Sequence, residues 1–197
     1  NLKFERKEII NIPRADFIKN VDEVKVIDEQ MEITQGKLVM GYRANVDYAD
    51  IDKYYALVVG SNVLGGGPHS KLFVNVREKE SLCYYIFSSI EKYKSIMFIS
   101  SGIETKDYDK AVELIKKQVE SVKAGDISDE ELENSKLALV NSMKSITDNI
   151  GGMSDFVFSQ SMAKTNSEVQ DIISSIEKVT KKDIVEAIKN IELDTVY

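Results

Sequence analysis

The sequence predicts an α+β fold in which an antiparallel β-sheet is covered on one face by α-helices. Three observations predict it. Period-two apolar segments come in pairs near residues 24–46 and 84–103, with one more at the C-terminus. Segments with a period near 3.6 lie between and after those pairs. Strands and helices do not alternate singly, as crossover-linked parallel strands would require.

Residues 1–20 mix charges with scattered Ile and Phe around Pro13 and read as a lead-in or linker, leaving residues 21–197 as one domain. From Val24 the chain alternates through Val26, Met31 and Ile33 to Gln35-Gly36, a strand and a turn. In residues 37–46, Leu38, Met40, Tyr42 and Ala44 share one face, so the two segments are expected to pair as an antiparallel hairpin. Asp50 caps a core helix carrying Tyr54, Tyr55, Leu57, Val58, Asn62 and Val63, which Gly65-Gly66-Gly67-Pro68 must end. A short helix over 70–79 turns Leu72, Phe73 and Val76 inward and ends in Arg77-Glu78-Lys79-Glu80.

Residues 84–92 and 95–103, joined at Tyr93-Lys94, read as a second hairpin. Tyr108, Ala111, Val112, Ile115, Val119 and Val122 then form the apolar stripe of a helix stopped by Gly125. Ser128-x-x-Glu131 is a capping box for a long helix with Leu132, Leu139, Met143 and Ile146 inward and Glu130, Glu131, Glu133, Lys136 and Lys144 solvated. Gly151-Gly152 is expected to break that helix before another over 153–163. Ser167-x-x-Gln170 reads as a further capping box, residues 181–189 as a short helix, and Thr195-Val196-Tyr197 as the start of a strand.

The chain has 197 residues and is 43% hydrophobic, enough for a core that folds without covalent staples. Its 26 basic against 33 acidic side chains give a net charge of -7, which repels nucleic-acid phosphates and anionic lipid, so neither is an expected partner. The single cysteine, Cys83, excludes an internal disulfide and any Cys-x-x-Cys site; it fits a reducing compartment, and a cytoplasmic location is expected. The chain begins at Asn1 and ends in a β-prone run, so a longer parent, truncated here at both ends, is expected.

The single histidine, His69, rules out writing His-Glu-x-x-His or His-x-x-Glu-His from this chain. A catalytic zinc needs about three protein ligands, and one His with a distant Cys do not supply them. His69, beside Pro68, reads as a turn residue rather than a catalytic base. The glycine run follows a helix and lacks Gly-Lys-Ser/Thr, so it is a corner and not a phosphate loop. Glu130-Glu131 reads as a solvated helix face. Arg77 and Tyr84 remain, seven residues apart; by residue type alone they read as a surface arginine and a half-buried strand tyrosine.

The stretch Leu64-Gly65-Gly66-Gly67-Pro68-His69-Ser70-Lys71-Leu72-Phe73-Val74-Asn75-Val76-Arg77-Glu78-Lys79-Glu80-Ser81-Leu82-Cys83-Tyr84 resembles the Leu-Gly-Gly, Ser-x-Leu-Phe, Arg-Glu-Lys and Leu-x-Tyr segment of insulinase and mitochondrial-processing-peptidase half-units, peptidase family M16. More loosely, the likeness spans residues 21–197 and is to the C-terminal, non-zinc half-unit, of the LuxS/MPP-like metallohydrolase type. It implies a clamshell in which a separate half, in the same parent chain or a partner subunit, carries His-x-x-Glu-His and the zinc, while this half needs no cofactor and has no activity alone. By motif position it implies that Arg77 and Tyr84 bind the peptide substrate and help stabilise its tetrahedral intermediate; Tyr85 is expected on the other face of the strand. The family also contains non-catalytic members serving as partners or structural subunits, which is the alternative.

Overall fold

The computed structural model describes residues 20–32 and 34–197. All of the lead-in except Asn20, and Ile33 of the first strand reading, lie outside the described residues. Among the described residues five strands form one sheet in the order β1-β5-β2-β4-β3. They are β1 (Lys25–Val26), β2 (Gly36–Arg43), β3 (Cys83–Glu91), β4 (Ile96–Ile103) and β5 (Glu192–Val196).

The alternation in β2 buries Leu38, Met40 and Tyr42 and leaves Val39 and Arg43 half-buried on the opposite face. β4 does the same with Met97, Ile99 and Ile103 buried. Helices cover that buried face, so the expected one-sided α+β architecture is observed. The second hairpin, β3 with β4, pairs antiparallel with Glu91 opposite Ile96.

The first hairpin does not form. β5 inserts between β1 and β2, antiparallel to β2 and parallel to β1, with Lys25 opposite Thr195. The sheet is therefore mixed at that edge. The reason is visible in β1: Val24, Val26 and Met31 are exposed, so the alternation of that segment had no buried face to enforce local pairing. β5 supplies Val196, which is buried, and fills the place beside β2.

Helix α1 (Ile51–Gly65) is the hub. Asp50 caps it by accepting from the Lys53 N–H, and it packs against β3 and the helices α2 (Tyr108–Lys123), α3 (Asp129–Ile146), α5 (Val169–Lys178) and α6 (Lys181–Ile188). A central helix needs apolar or small residues all round, and Tyr54, Tyr55, Leu57, Val59, Val63 and Leu64 are all buried. At its C-terminal end Gly65 passes so close to β3 that an added Cβ would stand 2.5 Å from the Ser88 backbone N. Gly65→Ala is therefore expected to destabilise the fold by about 1–3 kcal/mol through overpacking, read as a lower urea midpoint at unchanged slope.

The Ser128 capping box of α3 is present in both directions, and Leu132 is buried while Leu139, Met143 and Ile146 are half-buried. Three local readings shift. The break after α3 falls at 147–149, where Asn149 caps α4 (Ile150–Ala163), and Gly151-Gly152 lie inside the first turn of α4. The capping box of α5 is one residue later than Ser167-x-x-Gln170: the Glu168 N–H donates to Asp171, 2.8 Å. Glu131 and Lys136 are not fully solvated, because each reaches back to a neighbouring element.

Candidate functional site

The segment between α1 and β3 is anchored before it presents anything. The Ser70 hydroxyl donates to the Gly67 carbonyl at 2.6 Å, closing the corner after the glycine run. His69 Nε2 lies 3.2 Å from both Asn62 Oδ1 and Ser135 Oγ, tying the corner to α1 and α3. Burial pushes the imidazole below its ordinary value of 6.5, against a smaller opposing pull from Glu131. A depressed folded pKa means that its contribution to stability is complete above about pH 6.5 and is lost as pH falls through the folded value. His69→Asn is expected to flatten the loss of Tm between pH 7 and pH 5; an unchanged slope would remove His69 from the pH dependence.

Lys71 is buried at 6% exposure, and its ammonium meets Glu131 at 3.0 Å. Glu131 also accepts from the Ser128 N–H at 2.8 Å, so one carboxylate holds a helix cap and a buried cation. Next, the expected short helix over 70–79 is observed, with Phe73–Glu78 wound as a π-helix and the Lys79 N–H reaching Val74 O at 3.1 Å. Leu72 and Val76 anchor it in the core. Arg77, one helical turn after Phe73, is exposed, with its guanidinium carbon 4.5 Å above the Phe73 ring. Ser81 turns the chain into β3 at φ 52°.

Cys83 is buried at the start of β3. Burial pushes its thiol pKa up, against hydrogen bonding from Ser101 and the charge of Arg77, so it is a protonated core residue. Between Cys83 and Tyr85 the ladder register shifts, and Tyr84 sits in that irregularity at 58% exposure. Its hydroxyl donates to Glu104 Oε1 at 3.3 Å, and Lys106 holds the other carboxylate oxygen at 2.7 Å. The hydrogen bond and charge of Lys106 keep the Glu104 carboxyl below the usual carboxylate range.

Tyr85 pairs with Gly102, and its ring lies where a Cβ on Gly102 would stand, stacked near Phe87 on the uncovered face of the sheet. Tyr84 thus lies within the register shift and Tyr85 just after it, and neither is buried. Both Arg77 and Tyr84 stand exposed at one end of the segment, an arginine and a phenol able to donate to an oxygen that gains negative charge. Glu104 and Lys106, the residues that hold Tyr84, carry no signal in the sequence because a charged pair after a strand is ordinary.

The residues do not suit a catalytic metal. His69 has its Nε2 engaged within the fold, and among the described residues no group of three His, Cys, Asp or Glu is placed to hold an ion.

Residues 4–139 match the family model for the peptidase M16 inactive domain. The chain is 41% identical over 195 residues to a Bacillus subtilis (strain 168) protein named "Probable inactive metalloprotease YmfF", covering 99% of this chain and 45% of that protein. It is 30% identical over 120 residues to "Uncharacterized zinc protease YmxG" of the same organism, covering 59% of this chain and 29% of that protein. A crystal structure of a conserved protein from Enterococcus faecalis V583 superposes with a TM-score of 0.84 at 33% identity, over 90% of this chain and 42% of that one. The chain thus spans less than half the length of the curated relatives it matches. With the motif segment, the helix-covered sheet and the family match in agreement, the chain belongs to the peptidase M16 inactive-domain family.

Proposed function

We propose that this chain is the peptide-holding half of a two-half M16 peptidase, acting with a separate half that bears His-x-x-Glu-His and the zinc. The observation that carries this reading is the exposed presentation of Arg77 and Tyr84, by the π-helix and by the irregularity at the start of β3, at the family's motif positions. Arg77 donates to a peptide carbonyl. Tyr84 exchanges its acceptor, Glu104 Oε1 at 3.3 Å, for a substrate oxygen as charge builds on it. Because Lys106 already binds Glu104, the carboxylate is not stranded when the phenol leaves. This half supplies donors and orientation, and the metal chemistry belongs to the opposite half.

The B. subtilis relative named a probable inactive metalloprotease favours a second reading, in which the parent binds peptide without cutting it or lends this half to a partner subunit. Hydrolysis of a quenched fluorescent peptide by this chain, by the zinc-bearing half and by both together separates them. Cleavage only by the combination supports the first reading. Peptide binding without cleavage, whichever M16 half is supplied, supports the second.

A further inference from the structure

We propose that α4 is the surface on which the remaining half-unit of the parent chain docks. Over fourteen residues α4 carries Ile150, Met153, Phe156, Val157, Phe158 and Met162, with Asp155 its one charge, yet only Gln160 is buried. Ile150 is 89% exposed, Phe158 63%, Val157 59% and Met162 55%. A helix apolar on every side is normally enclosed, and this one stands as a ridge between two open grooves of about 710 and 620 Å³. It is nevertheless fixed in place: α4 packs on α3, and the Tyr93 hydroxyl donates to the Ser159 carbonyl at 3.4 Å.

The occupant follows from length and charge. This chain accounts for 45% of the B. subtilis relative at 41% identity and 42% of the E. faecalis chain, so more than half of each relative's polypeptide lies outside it. A tethered half-unit is present at high effective concentration and needs only a modest apolar patch to stay docked. A second copy fits less well. Asp155 stands three positions before Phe158 and seven before Met162, hence on the same helix face, and a two-fold contact centred on that face opposes the two aspartates. Anionic lipid fits less well too, because the chain carries -7. The inference rests on the two-half reading above but not on the presence of zinc in the other half.

The test is amide hydrogen exchange along α4, in this chain and in the intact parent, with the Val157→Asp/Phe158→Asp variant of each. Exchange at least tenfold slower in the parent, returning to the rate of this chain in the variant, is the expected result. Equal exchange in chain and parent overturns the proposal, as does protection that persists in the variant. Protection that rises with the concentration of this chain alone points to a second copy and overturns it as well. If the variant does not fold, the comparison of the two unmodified proteins decides. Arg77→Ala separates the two readings: loss of hydrolysis with α4 still protected leaves both standing. A parent that protects α4 and cuts nothing keeps the docking surface and loses the peptidase reading.

Discussion

In the two-half peptidase proposed above, Arg77→Ala is expected to lower kcat/KM by about two to three orders of magnitude, the usual effect of removing one donor to a developing oxyanion. The fall should be mainly in kcat, because a donor that acts on the growing charge contributes more in the transition state than in the ground state. Tyr84→Phe tests the same point with less disturbance. It keeps the ring and removes the hydroxyl that now donates to Glu104. Both side chains are exposed, so the variants should keep the Tm of the parent chain. A rise in KM at constant kcat would make the pair a peptide clamp without a role in the chemical step. Wild-type kinetics in both variants would end the substrate-facing assignment.

The second large effect concerns stability. Glu131→Ala should cost about 3 kcal/mol, because it leaves the buried Lys71 ammonium with only the exposed Asp126 carboxylate, 3.9 Å away, and removes one side of the Ser128 capping box. For a domain of this size that is a fall in Tm of about 6–12 °C. The estimate sits at the low end for a buried pair because the Glu131 side chain keeps 21% exposure. Glu131→Gln alone should lose less, since glutamine still serves the cap. Lys71→Met combined with Glu131→Gln should recover much of the loss by removing a buried charge that keeps only its longer contact with Asp126. If the double variant is no more stable than Glu131→Ala, the ion pair is not what holds the corner between the motif and α3.

Much of the local structure was legible because it is enforced locally. Asp50 and Ser128 announced their helices through capping, the Tyr108-to-Val122 stripe announced α2, and the alternation in β2, β3 and β4 matched faces that are in fact buried on one side. The candidate pair could be named for another reason: a family motif fixes residue types and spacing, so Arg77 and Tyr84 were selected by position without knowing what surrounds them. Where a signal had no buried face behind it, the reading failed. β1 alternates but is exposed, and Gly151-Gly152 begin a helix whose cap, Asn149, stands just before them.

By itself the sequence determined the α+β class and the absence of a histidine pair for metal, because these depend on residue type and short-range periodicity, and the family motif named Arg77 and Tyr84 as candidates. Only the tertiary structure decided that β5 takes the place beside β2, since strand pairing is won by whichever segment brings a buried side chain, here Val196, and not by the nearest in sequence. It alone decided that a π-helix and a register shift leave Arg77 and Tyr84 exposed, and that Glu131 serves Lys71 as well as its own cap. These are contacts between residues 20 to 156 positions apart or shifts of one backbone hydrogen bond, and neither leaves a period in the chain for a reader to find.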